Sequence, residues 1–217
     1  MTDSKDEYFG LDGLDQRLAA YLDYDNGFFV ELGANDGIRQ SNTFHFEKFR
    51  GWRGVLIEPI PHRFLECVAN RHEQNTFFCN ACVPLDYLEK YVDMLFVDLM
   101  TVSESLQSDV PDIDEHVRRG ESFLSANERT VRFGAVAAPL SKLLEQASAP
   151  ANMDLLSLDV EGAELDVLKG IDFNSHNFDY MLIESRAPTP LMSFLREHNY
   201  HLADMLSKHD YLFSKQK

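Results

Sequence analysis

Apolar and polar positions along the chain mark out an alternation of short strands and helices. Leu11, Leu14, Leu18, Tyr21 and Leu22 recur at helical spacing, so 11–24 reads as an amphipathic helix, stopped by Asp25, Asn26 and Gly27. FFVEL, 28–32, is a short apolar run with aromatic and β-branched members, the pattern of a buried strand. After a glycine-bearing turn, Phe44, Phe46 and Phe49 set a helical pattern over 41–50. GVLIE, 54–58, reads as a second buried strand closed by Pro59 and Pro61, 62–72 as a helix, and TFFCNACV, 76–83, as a third strand. Such alternation predicts a parallel sheet with helices on both faces.

From 84 to 128 the pattern loosens. An apolar stretch, MLFV at 94–97, precedes a polar segment over about 103–128 with few large apolar residues. Long connections of this kind inside a compact domain are functional lids or disordered segments. The segment 84–128 is therefore read as an insertion or lid that meets the acceptor. TVRFGAV (130–136) reads as an extra strand and PLSKLLEQ (139–146) as a helix. Regular alternation then returns: a strand at 153–160, a helix at 162–170 ending at Gly170, a strand at 179–185 and a helix near 189–198. YHLADML and HDYLFSK close the chain as a hairpin. The expected class is α/β, with a Rossmann-like, mostly parallel, doubly wound sheet and a C-terminal antiparallel hairpin.

Length and composition narrow the function. The 217 residues read as a single domain, 1–217, with a sizeable core at 44% apolar residues. Lys plus Arg number 20 against 36 Asp plus Glu, a formal net charge of −16. A field of that sign repels phosphate backbones and anionic lipid, so neither nucleic acid nor a membrane surface is an expected partner. Three cysteines suit a reducing compartment better than a disulfide scaffold. MTDSKDEYFG lacks the features of a secretory signal, and no apolar run approaches the length of a membrane span. The expectation is a cytoplasmic protein.

Chemistry gathers at the predicted strand ends. Glu31-Leu32-Gly33-Ala34-Asn35-Asp36-Gly37 leads the chain out of the first strand and into its turn. In open α/β sheets, ligands bind outside the carboxyl ends of the strands. The glycines are spaced GxxxG, not the GxGxxG of dinucleotide sites. The acids at Glu31, Asp36 and Glu58 disfavour a pyrophosphate and favour a ligand bearing an ammonium, a sulfonium and hydroxyls. Glu58, ending the second strand, is placed to accept from both hydroxyls of a ribose. Leu158-Asp159-Val160-Glu161-Gly162-Ala163-Glu164 ends another strand, and Glu184 ends the next. Asp159 and Glu161 can act as a base, orient a hydroxyl or bind a cation; Asp159 and Glu164 can also simply cap a helix or face solvent.

FVELGANDGIRQSNT, GWRGVLIEP and LLSLDVEGAELDVLKGID together resemble the FkbM-type methyltransferases, which use S-adenosylmethionine. The resemblance covers roughly 25–83 and 139–213 and implies the seven-stranded methyltransferase fold. It implies O-methylation of a sugar or glycan hydroxyl, for example on a deoxyhexose such as rhamnose or fucose, or of a polyketide-type or other small metabolite. By the same resemblance Glu31, Gly33, Ala34, Asn35 and Gly37 hold the methionine end of the cofactor, flanked by Asp36 and the run Arg39, Gln40, Ser41, Asn42 and Thr43. Glu58 binds the ribose, Pro59 and Ile60 pack near the adenine, and Asn80 and Ala81 meet its edge. Asp159, Glu161 and Gly162 line the methyl-transfer site. Glu161 or Asp159 is the expected base; alternatively Asp159, Glu161 and Glu184 hold a magnesium or manganese ion that acidifies the hydroxyl. Rival readings are a cofactor-binding scaffold without turnover and a nicotinamide dehydrogenase, against which the glycine spacing speaks.

Other residues read as structure. Cys79 and Cys82 sit in a predicted strand and read as core cysteines, and His45 and Trp52 as packing. His62 is within possible reach of the adenosine pocket. His116, Arg118 and Arg119, in the insertion, either contact the acceptor or form a solvated charged stretch.

Overall fold

The structure, a computed structural model, describes residues 7–216. After a 3-10 turn at Leu11–Gly13 come α1 (Leu14–Leu18), β1 (Phe28–Leu32), α2 (Phe44–Arg50), β2 (Arg53–Ile57), α3 (Pro61–Asn70) and β3 (Thr76–Phe78). Then follow β4 (Ala81–Val83), β5 (Tyr91–Phe96), β6 (Val102–Ser103), α4 (Ile113–Gly120), β7 (Val131–Pro139) and α5 (Leu140–Gln146). The chain ends with β8 (Asn152–Leu158), α6 (Glu164–Leu168), β9 (Asn177–Glu184), α7 (Pro188–Glu197), β10 (Tyr200–Met205) and β11 (Asp210–Lys215).

The main sheet has seven strands in the order β10-β11-β9-β8-β1-β2-β3. Its pairs are parallel except where β11 runs antiparallel between β9 and β10. Alternation along each strand divides the core. On one face Val30, Leu32, Val55 and Ile57 pack with Leu143, Leu168 and Leu195 of α5, α6 and α7. On the other, Phe29, Leu56 and Leu155 pack with Leu18, Phe46 and Cys67 of α1, α2 and α3. This is the expected Rossmann-like, doubly wound sheet with its closing hairpin. Among the described residues, no helix is long and apolar enough to cross a membrane.

Three expectations are corrected. The helix over 11–24 is a short turn plus α1, because Asp12 and Gly13 take left-handed backbone angles that interrupt it. The single strand over 76–83 breaks at Cys79 and Asn80: β3 pairs with β2, whereas β4 leaves the sheet and pairs parallel to β7. The segment 84–128 is no unstructured loop. It supplies β5, β6 and α4, and with β4 and β7 it builds a second sheet, β4-β7-β5-β6.

Candidate active site

The carboxyl ends of β1, β2, β8 and β9 open on one edge of the main sheet, with the start of β11 beside them through the Asp210–Glu184 pair. A cleft of about 1090 Å³, its open mouth included, lies along this edge. At its floor Gly33 takes φ +77, and a β-carbon there would stand 1.9 Å from the carbonyl oxygen of Asp159. Only glycine lets the β1 and β8 loops approach so closely. The turn is fixed from below: Gly33 and Ala34 donate their N–H groups to Ile57 O at 3.1 and 3.2 Å.

Glu58, one residue past β2, is buried. Its Oε2 accepts from Asn35 N and its Oε1 from Ile60 N, each at 2.8 Å. Burial pushes the carboxyl up to about 7, against the lowering effect of the two amide bonds. Each oxygen keeps a lone pair for a hydroxyl in the cleft.

Glu31 lies behind the cleft wall rather than in it. It accepts from Ser41 Oγ at 2.9 Å, Thr43 Oγ1 at 2.6 Å, Asn42 N at 3.1 Å and Arg71 Nη1 at 3.1 Å. The Arg71 side chain is fully buried and also reaches Glu47 at 2.8 Å and Gly37 O at 3.0 Å. This network holds the 41–43 loop so that Ser41 and Asn42 face the cleft. Asp36 is likewise structural, accepting from Ile38 N and Arg39 N at 2.9 and 2.7 Å.

The other half of the cleft is acidic. Asp159, Glu161 and Glu184 each bring an oxygen within 4.8 Å of the others. Arg186 Nη2 lies 2.8 Å from Glu161 and 3.6 Å from Glu184. Any divalent ion using these three oxygens would meet a guanidinium already bound to one of them. His116, buried on α4, sets its Nε2 3.0 Å from Met100 O and 3.6 Å from Glu161 Oε2. Asp109 Oδ2 accepts from Ser185 Oγ, Arg186 N and Ala187 N at 2.7–3.0 Å, which fastens the inserted segment to the end of β9. Asp159 opens on the cleft; crowding by the surrounding protein, then the charges of Glu184 and Glu161, holds its carboxyl well above the usual range. Burial, then Glu184, pushes Glu161 up to about 7, with Arg186 opposing. Glu164 lies outside the cleft, accepting from Gly162 N at 3.0 Å and Val160 N at 3.2 Å, and so holds the loop that carries Glu161.

Of the residues singled out from sequence, Gly33, Ala34, Asn35, Arg39, Gln40, Ser41, Asn42, Glu58, Pro59, Ile60, Asp159, Glu161 and Glu184 share the cleft. Asn80 and Ala81 line a smaller adjoining slot of about 370 Å³, with Pro59, Val160 and Met94. Glu31, Asp36, Gly37, Thr43 and Gly162 line neither. His62 lies half-exposed in a separate groove, edge-on to Phe96. Arg118 and Arg119 are exposed and paired with Glu115. Cys82 is buried and Cys79 partly so, both as free thiols. The cleft also draws in residues the sequence did not single out for it: Leu11, Leu14, Asp98 and Asp210. Asp98 is wholly buried on the insertion and bound by Arg63 at 2.6 Å and Arg39 at 3.3 Å.

The strand order, the glycine turn and the acid ending β2 define a nucleoside-binding methyltransferase fold. The model of the FkbM methyltransferase domain matches residues 31–213. The chain belongs to that family and is an S-adenosylmethionine-dependent methyltransferase. No curated protein matches it. Among solved structures it is similar to PH1948 from Pyrococcus horikoshii, at 12% identity and TM-score 0.47 over 93% of this chain and 79% of that one. M. capricolum TrmK in complex with S-adenosylhomocysteine gives 10% identity and TM-score 0.49 over 94% and 68%. The N-terminal domain of human METTL16 gives 11% identity and TM-score 0.41 over 93% and 66%. These are likenesses of chain path and say nothing of the acceptor.

Proposed function

We propose that the protein is an O-methyltransferase acting on a hydroxyl of a neutral sugar or glycan, a deoxyhexose being the model acceptor. The observation that carries this reading is the carboxylate lining of the cleft beside the glycine turn: Asp159, Glu161, Glu184 and Asp210. Carboxylates accept hydrogen bonds from a polyhydroxylated ligand and repel an anionic one. The guanidinium set among them, that of Arg186, is engaged by Glu161.

Gly33, Ala34, Asn35, Ser41 and Asn42 suit the amino-acid end of the cofactor, Glu58 its ribose, and the slot of Pro59, Asn80 and Ala81 its adenine. Bound S-adenosylmethionine supplies a methyl group on a cationic sulfur, open to in-line displacement. What remains for the chain is to orient the acceptor oxygen and take its proton. Glu161 suits the proton: it stands in the cleft near 7, and Arg186 holds its carboxylate at 2.8 Å. Asp159, whose carboxyl lies against that of Glu184, suits a hydroxyl-orienting role. Because Arg186 already occupies Glu161, the reading uses a carboxylate base and derives no step through a metal.

The test is S-adenosylhomocysteine formation with methyl rhamnoside and methyl fucoside, against phenols, a sugar nucleotide and RNA. Turnover is expected with the neutral glycosides alone, retained in EDTA and lost in Glu161→Gln. Preference for the sugar nucleotide or RNA would overturn the reading.

A further inference from the structure

The matched family region begins at residue 31, yet the cleft wall begins earlier. Leu11 and Leu14 lie in it, between the 40–42 loop on one side and Glu184 and Asp210 on the other. The segment 8–14 that carries them is docked along the start of α2. Tyr8 stacks on His45 at 4.4 Å and Phe9 meets Phe44 edge-on at 4.7 Å. Gly10 forms a backbone bridge to Gln40. The approach there is tight: a β-carbon on Gly10 would lie 2.8 Å from Asn42 Oδ1 and 2.9 Å from Asp15 Oδ1. Buried Asp15 in turn accepts from Phe9 N at 2.6 Å.

Two features are unexplained by packing. Leu11, in a cleft lined also by Ile60, Met94 and Leu99, is 52% exposed and has no apolar cover among the described residues, whereas Leu14 beside it is 4% exposed. Asn42 donates its Nδ2 to Ser157 Oγ at 3.1 Å, but its buried Oδ1, next to Gly10, has no hydrogen-bond partner among the described residues. A buried acceptor left unpaired is costly, and a ligand donor removes the cost.

We propose that 8–14 is an arm of the methyl-donor site. Docked through Gly10, it presents Leu11 to the aliphatic amino-acid chain of S-adenosylmethionine. It also holds Asn42 so that its free oxygen accepts from the donor's ammonium. The proposal rests on the donor reading of the cleft and adds a segment outside the matched family region.

Calorimetry with two probes tests it: S-adenosylhomocysteine, which has the amino-acid chain, and 5′-methylthioadenosine, which lacks it. In the full chain, Leu11→Ser should weaken the first about fivefold and leave the second within twofold, with the melting temperature of the free protein unchanged. Gly10→Ala, which displaces the arm and Asn42 together, should weaken the first at least tenfold and again spare the second. Equal weakening of both probes would make the arm a merely structural element and overturn the proposal, as would Leu11→Ser binding S-adenosylhomocysteine as wild type does. Failure of the wild type to bind either probe would instead refute the donor reading, and the arm with it.

Discussion

Glu58→Gln separates the binding role of a buried carboxylate from its cost to the fold. In the wild type both oxygens already hold a backbone N–H at 2.8 Å, so the side chain cannot swing away from the cleft. Hydrogen bonds to a charged acceptor contribute about 1.5–3 kcal/mol each, against about 1 for neutral ones. The variant loses the charge for two ribose hydroxyls and turns an amide donor toward one of them. The loss is roughly 3–4 kcal/mol, or about 100- to 1000-fold in affinity for S-adenosylhomocysteine. Stability should behave differently. With the carboxyl raised to about 7 by burial, holding it ionised opposes folding by about 3 kcal/mol at pH 8. Gln escapes that cost but sets its N–H against a backbone N–H, at about 1–3 kcal/mol. The two effects nearly cancel at pH 8. At pH 5 the wild type is protonated and only the mismatch remains, so the variant should melt lower there. Calorimetry at pH 8 and melting curves at both pH values check this. Binding within threefold of wild type would refute the ribose assignment, and a collapse of the pH 8 melting temperature would refute the electrostatic reasoning.

Gly33→Ala must fail to bind S-adenosylhomocysteine, and should fold poorly, because its methyl has backbone 1.9 Å away at a positive φ; ordinary binding would show that the β1 and β8 loops can part. Arg71→Met leaves Glu31 and Glu47 buried without their cation and should cost about 3–5 kcal/mol in urea unfolding, a loss below 1 kcal/mol counting against the network. Glu58 and Glu161 near 7, and Glu164 near 8, all stand above the ordinary 4.5 because of burial. A raised carboxyl binds its proton more tightly folded than unfolded, so stability is fullest below about pH 4.5 and falls as pH rises through 7–8. The urea midpoint should therefore decrease from pH 5 to pH 8.5, and an increase would contradict the burial of these groups. Turnover should climb with pH through about 7 as Glu161 ionises, and a profile flat across that range would count against Glu161 as the base.

The half of the site built from consecutive residues was legible in the chain; the half assembled across the fold was not. FFVEL coincides with β1, and Glu58 and Asp159 fall one residue beyond β2 and β8, because buried parallel strands write their length as unbroken apolar runs. The glycine turn and the two acids follow from those ends. The break at Cys79 and Asn80 left no such mark. TFFCNACV carries no Gly or Pro between its halves, and only the presence of β7 as an alternative partner draws β4 out of the sheet. The helix α4 did leave a mark that a search for large apolar residues overlooks. Asp112 caps it by accepting from Glu115 N at 2.9 Å, the spacing of a capping box, and the face with Ile113, His116, Val117 and Gly120 follows helical periodicity with only two aliphatic side chains. Because that face buries a histidine, it reads as polar, yet it is what sets His116 beside Glu161, 45 residues away along the chain. Arg186 illustrates the same limit. Two residues past Glu184 it looks like an ordinary loop cation, and only the register of β8 beside β9 brings it onto Glu161. The acids announce that a cleft exists; their charge state is set by residues that only the fold brings near them.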